Sequence, residues 1–291
     1  MKAQLQTTVV SRNCRRLITG INFMKIVINF LKVIAVFYIL LCILLYFIQE
    51  RLIFYPQKLP ANYKFQFDQH FEELYFKTAG NISLHGILFK AESSRGLIFY
   101  LHGNAGSLES WGRIAKTYTD LHYDLFMLDY RGYGKSEGSI RNEKQFYEDV
   151  QLAYNGLKQK YNENRVIVLG YSIGTGAAAA LASANNPRLL ILQAPYFNLT
   201  DMLHHTFPVI PAFILKYKFA TNTFLKDCKM PVVIFHGNKD EVIYYGSSIK
   251  LKALFKPADT LITLNGQGHN GMSENPAYLS AIQKILGKQA E

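Results

Sequence analysis

The sequence predicts an α/β domain, a mainly parallel twisted sheet with helices on both faces, carried behind one N-terminal transmembrane helix. Three observations support this. From about Phe71 onward, short apolar runs alternate with amphipathic stretches, the order of repeated strand–helix units that build a parallel sheet. The run Gly96–Leu101 is continuously apolar, as expected of a central strand covered on both faces. Residues 26–48 form a 23-residue stretch interrupted only by Asn29 and Lys32. At about 1.5 Å per residue it reaches roughly 34 Å, enough to cross a bilayer.

With 291 residues, 49% hydrophobic and 18% charged, the chain is too apolar for disorder and long enough for one large core. The formal net charge is +11, but residues 1–32 carry Lys2, Arg12, Arg15, Arg16, Lys25 and Lys32 and no acid. That leaves only +5 for the rest, a distribution that argues against a nucleic-acid partner. Cys14, Cys42 and Cys228 are too few for a disulfide framework or a Cys-rich zinc site.

Along the chain, residues 1–25 read as a basic tail and 26–48 as an uncleaved signal anchor. A cleaved signal peptide would have a shorter apolar core and a small-x-small site, whereas this stretch ends Leu-Tyr-Phe-Ile-Gln-Glu-Arg. A buried core helix would keep a polar stripe, and none follows Lys32. The basic flank puts the tail in the cytoplasm and the domain across the membrane. A start at Met24 would remove most of that bias. Residues 49–69 read as a linker, and 70–291 as the folded domain.

Within the domain, Glu73–Lys77 and Ile82–Phe89 pattern as an opening hairpin. A helix is expected over Ser107–Leu121, a strand over Asp124–Tyr130, and an amphipathic helix over Glu143–Lys160 with Phe146, Val150, Ala153 and Leu157 on one face. Strand Arg165–Leu169, small-residue helix Ile173–Ala184 and strands Arg188–Leu192 and Pro231–Phe235 follow. Helix Ser247–Phe255, strand Thr260–Leu264 and helix Pro276–Leu286 complete the pattern. Residues 195–230 break the rhythm and read as a short cap insertion with few clean periods.

Gly170-Tyr171-Ser172-Ile173-Gly174 fits G-x-S-x-G between a strand and a small-residue helix, the setting of a nucleophile elbow. The serine would sit on a strained turn, with the Ile173 N–H aimed at an oxyanion formed on it. A serine hydroxyl needs a base and the base an orienting anion. Asp240 ends the turn after Pro231–Phe235, and His269 follows Thr260–Leu264 through glycines. Glu241 is a weaker substitute for Asp240. Asp201, Asp227 and Asp259 lack a preceding buried strand, and His102 and His236, each before a glycine, suit a turn-stabilising role. The turn His102-Gly103-Asn104-Ala105-Gly106 offers a second oxyanion donor, the Asn104 N–H.

The elbow, the turn Leu-His-Gly-Asn-Ala-Gly-Ser and the segment Asp129–Gly138 (Asp-Tyr-Arg-Gly-Tyr-Gly-Lys-Ser-Glu-Gly) resemble the α/β-hydrolase superfamily over about residues 70–288, and Glu50–Pro56, just after the anchor, resembles one branch of it. That branch, which the other segments together also resemble, holds membrane-anchored, short-lid lipid and acyl esterases, including monoacylglycerol-lipase-like and depalmitoylase-like enzymes. Bacterial members are often described as serine aminopeptidase-like. The resemblance implies the α/β-hydrolase fold and a serine hydrolase; the anchor and the apolar insertion point to carboxylic esters, with lipid or acyl-ester substrates and the bilayer as partners. It implies no metal, no cofactor and no obligate protein partner. One departure is Glu241–Tyr244, where relatives often carry a proline.

A peptidase on the same fold is the alternative reading. Gly174–Ala179 also fits a dinucleotide fingerprint, but it is not in the first strand–helix unit, and the next strand ends Gln193-Ala194-Pro195 without an acid. Ser247–Lys250 fits S-x-x-K without its partner motifs. A non-catalytic membrane-tethered binder would lack a member of the triad. Tyr171, Phe207, Ile210 and Phe213 are the expected substrate-binding residues, the last three as an acyl-binding wall with Pro208 and Pro211 resisting a regular helix.

Overall fold

The structure, a computed structural model, describes residues 2–287, with side-chain positions from Phe23 onward. The chain divides into two compact units, Met1–Ile48 and Gln49–Glu291. Helix α1 spans Lys2–Ile53, so the expected tail is helical from Lys2. Within it, Phe23–Ile53 is long and apolar enough to cross a membrane, and most of its apolar side chains are exposed.

In the second unit, β1 (Tyr55–Pro56) and β5 (Ala105–Gly106) form a short parallel pair. The expected linker is no free tether, because Phe54 and Phe65 are buried in the domain. The main sheet contains β2 (Phe71–Lys77), β3 (Ser83–Phe89), β4 (Leu97–Leu101), β6 (Asp124–Leu128), β7 (Val166–Tyr171), β8 (Leu189–Gln193), β9 (Val232–Gly237) and β10 (Thr260–Leu264). Its order is β2-β3-β6-β4-β7-β8-β9-β10, and only β3 runs against its neighbours. This is the α/β-hydrolase fold, with β4 and β7 at the centre.

Alternation along each strand supplies two cores. Leu97, Phe99 and Leu101 face one side with Val166 and Val168, while Ile98 and Tyr100 face the other with Ile167 and Leu169. Helix α4 (Glu143–Lys158) starts where the Asn142 side chain accepts the Gln145 N–H, and it buries Phe146, Val150, Ala153 and Leu157 in the first core. Each such side chain contributes about 1.5–3 kcal/mol on burial, less for Ala. Helix α5 (Gly174–Ala184) shares that side, whereas α9 (Pro276–Gly287) packs Tyr278, Ile282 and Leu286 into the second core.

Two expectations are corrected. The helix expected over 107–121 is split into α2 (Leu108–Trp111), a 3-10 turn Gly112–Ile114 and α3 (Ala115–Thr119). Gly112 lies where a Cβ would come within 2.4 Å of the Phe67 ring, so the chain tightens there to pass it. The insertion 195–230 is more regular than its sequence suggests. It contains α6 (Leu199–Thr206), a 3-10 turn Ala212–Ile214 and α7 (Thr221–Asp227), with the proline segment between. Helix α8 (Gly246–Lys252) lies between β9 and β10.

Candidate active site

Register brings Leu101, Tyr171, Gln193, Gly237 and Leu264 to one edge of the sheet. The loops that follow these positions carry the chemistry-bearing side chains. Ser172 is the first residue after β7, at φ +52°, a left-handed conformation that costs a non-glycine residue on the order of 1–3 kcal/mol. The turn is held by the Ser172 N–H donating to Gln193 O (2.9 Å) and by the Thr175 N–H (2.9 Å) and hydroxyl (2.6 Å) donating to Ser172 O. The flanking glycines are required by space. A Cβ on Gly174 would lie 2.2 Å from Leu101 O, and one on Gly170 would lie 2.6 Å from Gly174 O. Helix α5 can therefore cross the end of β4 with Ile173 at its start.

The structure brings three of the expected side chains into one line. Ser172 Oγ lies 3.0 Å from His269 Nε2, and His269 Nδ1 lies 2.8 Å from Asp240 Oδ2. The other Asp240 oxygen accepts the Val242 and Ile243 N–H groups at 2.9 and 2.8 Å. Burial alone would raise the Asp240 carboxyl. Hydrogen bonds from His236 and His269, the charge of His269 and the Ile243 N–H outweigh it and hold the carboxyl well below the usual carboxylate range. With Nδ1–H given to Asp240, the Nε2 lone pair of His269 faces the serine hydroxyl.

His236 fits the turn-stabilising role that its sequence position suggests, and it also reaches Asp240. It is fully buried, with Nε2 3.3 Å from Asp240 Oδ2 and 2.9 Å from Ile243 O, and Nδ1 2.6 Å from Ser248 Oγ. The acid is thus flanked by two histidines. Glu241 points elsewhere, accepting the His269 backbone N–H at 3.2 Å. The only advance signal for His236 was its four-residue spacing to Asp240 at a strand end. His102 fits its structural expectation, with Nδ1 2.7 Å from Gly103 O and its ring 4.2 Å from that of Tyr130.

Tyr171 lies beside the line, donating its hydroxyl to His269 O. Burial, with the charges of Asp240 and Glu241, pushes its phenol up, so it remains a donor. Asn104 follows β4 in the neighbouring loop, its carbonyl held by the Tyr133 hydroxyl (2.6 Å) and the Tyr55 N–H (2.9 Å). Phe207, Ile210 and Phe213 stand outside this hydrogen-bonded group. Phe207 and Phe213 are 58% and 86% exposed on the insertion, and Ile210 is half-buried.

The family described as serine aminopeptidase, S33 matches residues 92–226. The chain is 31% identical over 190 residues to protein bem46 of Schizosaccharomyces pombe, covering 61% of this chain and 63% of that one. It is 27% identical to the lysophosphatidylserine lipase ABHD12 of Macaca fascicularis (67% and 57% covered). It is 28% identical to α/β hydrolase domain-containing protein 17C of Mus musculus (75% and 68%). The chain thus spans 57–68% of the length of these curated relatives. Among solved structures, the Pyrococcus furiosus esterase Pf2001 superposes with a TM-score of 0.64 at 17% identity, over 81% of this chain and 97% of that one. The chain is thus similar in sequence to α/β hydrolases and shares the fold of solved esterases.

Proposed function

We propose that the chain is a serine hydrolase of carboxylic esters, with lipid or other acyl esters as its substrate class. The observation that carries the reading is the continuous line Ser172–His269–Asp240 at 3.0 and 2.8 Å. Ser172 Oγ attacks the ester carbonyl as His269 Nε2 takes its proton. Asp240 holds the imidazole and stabilises the imidazolium. The Ile173 and Asn104 N–H groups receive the developing oxyanion. His269 returns the proton to the leaving alcohol, and water, activated by the same imidazole, releases the acyl group from Ser172.

Support for a lipid or acyl substrate comes from the lipase among the relatives and from the exposed apolar residues of the insertion, which we read as an acyl-binding wall. The apolar helix is read as a single-pass anchor, with the basic tail cytoplasmic and the domain across the membrane. The description of the matching family favours a second reading, an aminopeptidase-like serine peptidase cleaving short peptides. A screen of p-nitrophenyl esters by chain length against aminoacyl amides separates the two. The ester reading expects kcat/KM to rise about tenfold from four to eight carbons, with Phe213→Ala flattening that rise, since each buried CH₂ is worth roughly 0.8 kcal/mol at most. Preference for aminoacyl amides overturns it. Loss of fluorophosphonate labelling in Ser172→Ala tests the nucleophile in either case.

A further inference from the structure

The motif Glu50–Pro56 takes no part in the chemistry above, yet it is tied to the oxyanion loop. The parallel pair β1–β5 aligns Tyr55 with Ala105 and Pro56 with Gly106. The Tyr55 N–H donates to Asn104 O and the Gln57 N–H to Gly106 O, both at 2.9 Å. In the other direction, Asn104 Nδ2 donates to Ile53 O at 3.3 Å. The Tyr133 hydroxyl fills the second acceptor position on Asn104 O. The segment is itself fixed. Phe54 is buried among the rings of Phe146, Tyr217 and Phe219 at 5.4–6.3 Å, and Gln57 O accepts the Gly134 N–H at 2.9 Å.

The loop needs such support. It contains Gly103 and Gly106, the latter at φ +89°, and glycine loses more conformational freedom on ordering than any other residue. A donor for transition-state charge is effective only if it is already in place when the charge develops. We propose that residues 53–57 are a positioning strap for the oxyanion loop, holding Asn104 so that its N–H is ready for the tetrahedral intermediate. The proposal rests on the reading of Asn104 as an oxyanion donor. It makes turnover depend on the segment that follows the N-terminal helix, outside the main sheet.

The test uses the full-length protein in detergent. Tyr55→Pro removes the N–H that Asn104 O accepts. The expected result is a fall in kcat on a p-nitrophenyl ester of about 10–100-fold, short of the roughly 10²–10³-fold for losing an oxyanion donor outright, with KM within about threefold. The affinity of an alkylboronic acid, which adds to Ser172 as a transition-state mimic, should fall by a similar factor. A merely structural role would not move these two together at constant KM. A folded Tyr55→Pro with kcat within about twofold of wild type overturns the strap, as does a lower kcat with unchanged boronate affinity. If Tyr55→Pro does not fold, Asn104→Ala, which keeps the backbone N–H and loses the bond to Ile53, decides. A several-fold lower kcat supports the strap, and an unchanged kcat overturns it. Activity retained in Ser172→Ala overturns the hydrolase reading together with the strap. An inactive Ser172→Ala beside wild-type strap variants overturns the strap alone.

Discussion

His269 and His85 are both buried, and both have a carboxylate oxygen on Nδ1, Asp240 at 2.8 Å and Asp129 at 3.0 Å. They differ at Nε2. That of His269 faces the Ser172 hydroxyl, while that of His85 faces a second carboxylate, Glu73, at 3.1 Å. Around His85, Lys135 binds Glu73 at 2.6 Å and Asp129 accepts the Leu108 N–H at 3.0 Å. Every position of that cluster is filled by the fold, so the cluster joins β3 to the loop after β6 and leaves nowhere for a substrate atom. A histidine and a carboxylate therefore do not make a site. The group on the outer nitrogen decides between a cross-link and a candidate base.

The largest test of that contrast is His269→Ala, which should lower kcat/KM by about 10⁴-fold or more with the fold intact. A thermal melt beside an ester assay reads both, and a variant with a tenth of wild-type activity would break the distinction. Asp240→Asn should cost about 10³–10⁴-fold, whereas Glu241→Gln should cost much less. A reversal of those two would make Glu241 the acid. His85→Ala should do the opposite of His269→Ala. Loss of one partner from a buried cluster destabilises by about 3–5 kcal/mol, read by denaturant titration, with activity per folded molecule within about threefold of wild type.

The smallest effect concerns pH. The Asp240 carboxyl is depressed in the folded state, so its stabilising contribution is present above the unfolded value near 4 and is lost as pH falls through the lower folded value. The melting-temperature gap between wild type and Asp240→Asn should be flat above about pH 5 and narrow on acidification below about 4. In His236→Asn, which removes one of the donors to this carboxyl, the decline should begin at higher pH. Identical profiles in the two backgrounds would deny His236 an influence on the acid.

Much of this organisation is legible in the sequence. The central strands announce themselves because burial on both faces demands continuous apolar runs such as Gly96–Leu101 and Val166–Leu169. The glycines around Ser172 are readable because helix–strand contact leaves no room for a Cβ. The insertion is less so, since α6 and α7, with eight and seven residues, are too short for a periodic pattern. A cap signal existed in Asn198, whose side chain accepts the Asp201 N–H at 2.7 Å. The contact of His236 with Asp240 arises only once the turn 237–240 closes, and the pairing of residues 55–57 with the loop after β4 joins chain segments about fifty residues apart. The first leaves only the four-residue spacing as a trace in the sequence, and no local pattern encodes the second.

The backbone at Ser172 has a consequence for selection. Glycine would occupy φ +52° without the cost a serine meets there, so Ser172→Gly should leave the protein inactive and at the same time more resistant to heat. Directed evolution of this chain toward thermostability, with no substrate in the screen, would therefore tend to discard the proposed nucleophile among the early gains. Any such campaign has to select for turnover and for melting temperature together.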